Sequence, residues 1–206
     1  MYKKPIIVFE GVESSGKSHH IKKVASFLKK QNINFILIRE PGGNYNAEKI
    51  RKLILNKDSN FNKITDLLLY LSSRSEIMTT IKKNFRKKII LIDRFIDSTV
   101  AYQHYGMGIK LSLINDINNY LLKGLKVDFT FVNIVSQKNM KKRLKKRKKL
   151  NRYDKFSDIF YKKVQKGFLK ISKKKPKKYL IINSNSEIKI NEKIVINKIK
   201  KLINYG

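Results

Sequence analysis

Short apolar runs alternate with amphipathic stretches along the chain. Residues 5–9, PIIVF, are an apolar run too short for a helix and followed by a Gly-rich segment, which predicts a buried strand. In the next stretch, KSHHIKKVASFLKKQ, the residues Ile21, Val24, Ala25 and Leu28 recur at helical spacing with lysines between them. NFILIRE (34–40) predicts a second strand, stopped by the PGG of 41–43. Helical patterns cover 46–57 and 64–84, and KKIILID (87–93) predicts a third strand. LSLINDINNYLLKG (111–124) predicts a helix that stops at Gly124, and VDFTFVNIV (127–135) a fourth strand. A basic helix begins in NMKKRLKKRKK, a break falls near 148–155, and FSDIFYKKVQKGFLKIS (156–172) is helical again. KYLIIN (178–183) predicts a fifth strand and 191–204 a last helix. Strands alternating with helices from end to end predict an α/β fold, a five-stranded parallel sheet with helices on both faces. With 206 residues, no repeat and no linker, a single domain covering 1–206 is expected.

Composition narrows the class. Hydrophobic residues make up 41%, enough for a core, and no apolar run reaches the length of a membrane-spanning helix. The opening MYKKP leads straight into a strand without the apolar region of a secretory signal, so a cytoplasmic protein is expected. With no cysteine, a disulfide framework and a Cys-based zinc site are both excluded. The three histidines, His19 and His20 adjacent among them, do not make a metal site either.

The net charge of +33 changes the picture most, because so basic a domain is first suspected of binding a polyanion. Of its 48 basic residues, however, only eight are Arg, and Ile and Asn are abundant beside Lys. Lys, Ile and Asn share A/T-rich codons, so mutational drift yields this mixture, and the lysines spread along the chain with dense groups at 138–149 and 173–178. Nucleic-acid contact is therefore expected to be non-specific only. Against this background an Arg marks a place where a Lys would not serve, because its planar fork recognises carboxylate and phosphate in a fixed geometry. Arg39, Arg74, Arg94, Arg143, Arg147 and Arg152 are flagged in this way, whereas Arg51 and Arg86 lie in the lysine-rich helical context of solvated faces.

The stretch FEGVESSGKS (9–18) carries the chemistry. Gly11-x-x-x-x-Gly16-Lys17-Ser18 lies between a predicted strand and a predicted helix. There it aims successive backbone N–H groups at a phosphate chain, Lys17 at the outer phosphates and Ser18 at Mg²⁺. Asp93 ends the third strand, at the sheet edge where ligands of such folds bind, and is a second candidate for the Mg²⁺ shell. Arg94 beside it can fork onto a phosphate. Glu13, a carboxylate inside an anion-attracting loop, requires a separate explanation.

The sequence resembles the bacterial thymidylate kinases, P-loop nucleoside-monophosphate kinases. The resemblance runs through FEGVESSGKS, REPGG (39–43), LLLYLSSRSE (67–76), DRFIDSTVAYQHYGMGI (93–109) and RLKKRKKLNRYD (143–154), the fourth being the most specific. It implies a P-loop fold with a mobile lid at about 143–155, transfer of the ATP γ-phosphate to dTMP with Mg²⁺ in dTTP biosynthesis, and a homodimer. It places ATP on Gly11, Val12, Glu13, Ser14, Ser15, Gly16, Lys17 and Ser18 with Arg143 and Arg147, and dTMP on Glu13, Arg39, Tyr70, Arg74, Arg94, Ser98, Tyr102 and Gln103. In that reading Glu13 positions the 3′-hydroxyl of dTMP, Tyr70 stacks on thymine, Arg74 donates to a thymine carbonyl, and Tyr102 crowds a ribose 2′-hydroxyl. Lys17, Asp93, Arg94 and Arg152 would carry catalysis. Some thymidylate kinases hold a catalytic Arg where this chain has Ser14, so the lid must supply it here, with Arg152 as the choice; such a group is worth about 10³–10⁵ in rate. Asn133, Lys148, Asn151 and His19 depart from the family pattern. Two alternatives remain: a P-loop kinase with another acceptor, and a basic nucleic-acid-binding protein on a relic kinase fold.

Overall fold

The structure, a computed structural model, describes residues 4–147 and 150–205. The strands β1 (Ile6–Gly11), β2 (Phe35–Arg39), β3 (Ile89–Asp93), β4 (Phe129–Ile134) and β5 (Tyr179–Asn183) form one five-stranded sheet in the order β2-β3-β1-β4-β5. All its pairings are parallel. The helices are α1 (Lys17–Lys30), α2 (Tyr45–Leu55), α3 (Lys63–Asn84), α4 (Ile96–Thr99), α5 (Leu111–Leu122), α6 (Gln137–Leu144), α7 (Asp158–Lys174) and α8 (Ile188–Leu202). Among the described residues no helix is long and apolar enough to cross a membrane.

β1 is buried along its whole length, as a central parallel strand covered on both faces must be. Its side chains alternate between two cores. Ile7 and Phe9 pack with Val24 and Leu28 of α1 and Ile199 of α8, whereas Ile6 and Val8 join Ile77, Met78 and Ile81 of α3. The register brings the carboxyl ends of the strands together: Phe9 pairs with Asp93, Arg39 with Asp93, and Gly11 with Asn133. The loop after β1, the turns after β2 and β3 and the segment after β5 therefore share one edge of the sheet, where such folds bind ligands.

Capping fixes several predicted boundaries. The Asn44 side chain accepts from Ala47 N at 2.8 Å, Asn62 accepts from Ile64 and Thr65, and Ser157 accepts from Phe160, so α2, α3 and α7 begin there. α5 ends two residues before the predicted stop, because Lys123 already takes the left-handed conformation.

One element has no counterpart in the periodicity. α4 runs on into a π-helical turn, Val100–Gly106, inside the stretch DRFIDSTVAYQHYGMGI. Ser98 through Gln103 are buried in succession, and a helix enclosed on all sides carries no amphipathic period. The turn lies close against α7. A Cβ on Gly106 would come within 2.6 Å of Phe160 Cε2, and one on Gly167 within 2.6 Å of Tyr105 Cδ2.

Candidate active site

A cavity of about 660 Å³ opens at the carboxyl edge of the sheet, between the loop after β1, the strand ends, α2, the π-helical turn and residues 143–153. The loop is held by backbone conformations that its glycines permit. Gly16 sits at φ 91° and Ser14 at φ 52°, and a Cβ on Gly11 would meet the Asn133 carbonyl oxygen at 2.2 Å. Gly11 and Val12 do not line the cavity themselves: the Val12 side chain belongs to the core, and both residues serve through their carbonyl oxygens. Lys17 Nζ donates to these oxygens at 2.9 and 2.8 Å. Burial, then the neighbouring Arg94, push the Lys17 ammonium down to about 8, against the pull of Glu13, Asp93 and Glu10. The first turn of α1 contains no acidic residue and no side chain caps it, so the positive end of the helix is open to an anion in the cavity.

Ser18 Oγ lies 3.4 Å from Asp93 Oδ2, and both residues line the cavity. Asp93 Oδ1 is buried without a hydrogen-bond partner. A carboxylate with an unmatched oxygen beside a hydroxyl is a donor set that fits a hard, oxygen-seeking divalent cation.

Arg94 follows in the left-handed conformation, φ 65°, which is strained for so large a side chain. The turn is held from beneath by Glu10, which is fully buried. Glu10 Oε1 accepts from Phe95 N at 2.8 Å and Ser98 N at 3.2 Å, and Oε2 from Ser98 Oγ at 2.5 Å. Burial, then the nearby Asp97, push the Glu10 carboxyl up to about 7. Arg94 Nη1 donates to Gly11 O at 2.8 Å and Ser98 Oγ at 3.3 Å, and its guanidinium lies 5.2 Å from the Tyr102 ring centre. Nη2 is 2.9 Å from Glu13 Oε2 but off the N–H direction, an ion pair by distance in which Nη2 lacks an aligned acceptor. Burial raises the Glu13 carboxyl, but Arg94, Lys17 and Arg147 outweigh it and hold the group below its ordinary range.

Tyr70, Ser98, Tyr102 and Gln103 line the other end, with Tyr102 O–H 3.4 Å from Glu13 Oε1. Tyr153 stands edge-on to Tyr70 and Tyr102, with ring centres 6.0 and 5.7 Å apart. Arg39 lies at the rim, donating to Glu48 through Nε at 3.1 Å and Nη2 at 2.9 Å. Arg51, read from sequence as solvated, also lines the cavity and donates to Pro41 O at 2.7 Å. Its signal was legible: Ala47, Arg51 and Leu55 share one helical stripe, and Ala47 is fully buried. Arg143 donates to Ser14 O at 3.1 Å and Ser184 O at 2.6 Å, which joins the loop to the segment after β5.

Two arginines stand elsewhere than expected. Arg74 does not reach the cavity. Its fully buried guanidinium donates to Glu40 Oε1 at 2.8 Å, Asn118 Oδ1 at 2.5 Å and Thr99 Oγ1 at 2.7 Å, and pairs with the second Glu40 oxygen. Four of its five N–H groups are taken and none faces the cavity, so Arg74 fixes Glu40, which does line it. Arg152 also turns away, to an ion pair with Asp66 and over the Phe61 and Tyr153 rings. Of the arginines in 143–155, Arg143 and Arg147 line the cavity, beside Asn151 and Tyr153.

A family model described as thymidylate kinase matches residues 9–195. The chain is 34% identical to a thymidylate kinase of Thermoanaerobacter over 203 residues, covering 96% of this chain and 98% of that protein. It is 37% identical to one of Mycoplasma capricolum over 204 residues, covering 95% of this chain and 96% of that protein. The chain belongs to the thymidylate kinase family. A crystal structure of the Ehrlichia chaffeensis thymidylate kinase superposes with a TM-score of 0.76 at 32% identity, covering 95% of this chain and 98% of that one.

Among the described residues, the departures from the thymidylate kinase pattern are absorbed locally. Asn133 Nδ2 donates to Ser184 Oγ at 3.1 Å. Asn151 caps the 3₁₀ turn Arg152–Lys155, accepting from Tyr153 N at 2.9 Å while its own N–H donates to Asp154 Oδ2 at 2.8 Å. Asn caps as well as Asp does, so this turn keeps its shape. His19 Nε2 is 2.6 Å from Glu192 Oε1 of α8. Lys148 lies outside the described residues.

Proposed function

We propose that the protein transfers the γ-phosphate of ATP to dTMP, giving dTDP and ADP. One observation carries the reading: a single cavity joins the phosphate loop to an arginine-lined, aromatic end through the Glu13–Arg94 contact. ATP lies along the loop and the α1 N-terminus, with Arg143 beside the adenine. Lys17 exchanges the Gly11 and Val12 carbonyls for the outer phosphates. The dTMP phosphate is gripped by Arg94, with Arg39 and Arg51 at the rim, and the base lies against Tyr70. Glu13 receives the sugar hydroxyl, and Tyr102 bounds the sugar pocket.

An oxygen of the dTMP phosphate attacks the γ-phosphorus, and the bond from that phosphorus to the β–γ bridging oxygen breaks. Such transfer depends on positioning and charge stabilisation rather than on a protein nucleophile. Among the described residues of 143–155, Arg147 is the cation we assign to this task, since it lines the cavity and its charge acts on Glu13. Ser18 and Asp93 would hold Mg²⁺, which neutralises phosphate charge when bound.

Leu53, Ile64, Leu68, Leu113 and Tyr120 leave exposed apolar surface on α2, α3 and α5, which supports a homodimer through these helices. The work of the enzyme belongs in the cytoplasm, where dTTP is made, and its charge gives only non-specific nucleic-acid contact.

The test is ADP release from ATP and Mg²⁺ with dTMP, dUMP, dCMP and dGMP in parallel. Turnover with dTMP well above the others, with kcat/KM lowered at least about 100-fold in Arg94→Ala, is expected. Preference for another acceptor would move the substrate, and inactivity of the folded protein with all four would refute the reading.

A further inference from the structure

We propose that Asp66 is the positioning residue that makes the cavity read the imino N–H of a pyrimidine: it holds the Gln103 amide with its carbonyl oxygen toward the base. The inference rests on the reading of the cavity as a dTMP site. Asp66 lies in the first turn of α3, is 1% exposed, and does not line the cavity. Its Oδ2 accepts from Gln103 Nε2 at 3.0 Å and from Tyr153 O–H at 2.7 Å, and Oδ1 is paired with Arg152.

A carboxylate only accepts, so the atom Gln103 turns toward Asp66 is its NH₂ group. The other end of the amide is thereby fixed. Gln103 Oε1 is buried, has no hydrogen-bond partner, and belongs to a residue that lines the cavity. Thymine and uracil present a donor at N3, which satisfies such an acceptor, whereas cytosine presents a lone pair there and leaves two acceptors face to face. A buried polar group built for one partner rejects the analogue that leaves it unmatched. Tyr153 receives its orientation from the same carboxylate, and it stands edge-on to Tyr70 and Tyr102. Asp66 thus aligns the group that reads the base edge together with the aromatic wall beside it.

The experiment measures kcat and KM for dTMP, dUMP and dCMP on the wild type, Asp66→Asn, Asp66→Glu and Gln103→Leu. In Asp66→Asn the new NH₂ can face Gln103 Oε1, so the amide is free to turn. The dTMP-over-dCMP ratio of kcat/KM should fall about tenfold or more, mainly through KM, while dUMP follows dTMP. Asp66→Glu, still acceptor-only, should restore most of the ratio. A ratio within twofold of wild type in Asp66→Asn, when Gln103→Leu collapses it, overturns the role of Asp66 alone. A ratio unchanged in Gln103→Leu overturns the inference together with the base-reading role of Gln103. Should Asp66→Asn not fold, the wild-type complex with dTMP decides. Gln103 bridging Asp66 and N3 at about 3 Å to each is expected, and Gln103 parted from Asp66 overturns the proposal.

Discussion

Glu10→Gln is the sharpest perturbation of the fold beneath the site. In the native state burial, then Asp97, push the Glu10 carboxyl from its ordinary 4.5 up to about 7. Between these two values the folded protein holds a proton that the unfolded chain has released. Stability from this group is therefore complete below about 4.5 and is lost as pH rises through 7. At about 1.4 kcal/mol for each tenfold change in proton affinity, the loss is about 3 kcal/mol. Gln keeps the shape and one acceptor for Phe95 N and Ser98 N, while its NH₂ faces Ser98 Oγ, which can accept instead. The assay is urea unfolding of both proteins at pH 5, 6, 7 and 8 in constant salt. Taking the difference between the two proteins at each pH cancels the groups that do not interact with Glu10, so the remaining slope belongs to Glu10 together with Asp97, whose carboxyl is also raised. Wild type should lose about 2.5 kcal/mol of this stability relative to Glu10→Gln between pH 5 and 8, the remainder falling below pH 5. Parallel curves would show that Glu10 stays ionised in the native state and would refute the reasoning.

Other outcomes follow from single contacts. Gly167→Ala places a methyl 2.6 Å from Tyr105. It should destabilise by about 1–3 kcal/mol although Ala is the better helix former, and a gain in urea midpoint would contradict the close packing of α7. Arg51→Ala removes a rim guanidinium and its bond to the Pro41 carbonyl. It should lower kcat/KM for dTMP about 10- to 100-fold, where an unchanged value would return Arg51 to the solvated surface. The net charge of +33 predicts a melting temperature that rises between about 50 and 300 mM KCl. A flat or falling profile would show that like-charge repulsion is not felt by the folded chain.

The order of elements was legible because each strand is a short, mostly apolar run and most helices have one wet face. The π-helical turn was not legible, since Val100, Ala101, Tyr102 and Gln103 are all buried and a segment without a wet face has no period to read. The same limit governed the site. Loop residues were legible because their spacing is itself the geometry: Gly11 and Gly16 occupy positive φ, and Lys17 and Ser18 follow at the helix start. The arginines were flagged as a chemical type, and type does not say which carboxylate each one meets. Arg74 and Arg152 carry the planar fork that the scarcity of Arg singled out, but Glu40 and Asp66 receive them. Both acids are buried beside the cavity, and a buried carboxylate left without its cation costs several kcal/mol, so the fork goes to the carboxylate. Arg51 stood out in neither composition nor neighbours, and only the helical stripe through Ala47 and Leu55 pointed it inward. A charge in a sequence thus declares what it can bind, and the nearest buried opposite charge decides what it does bind.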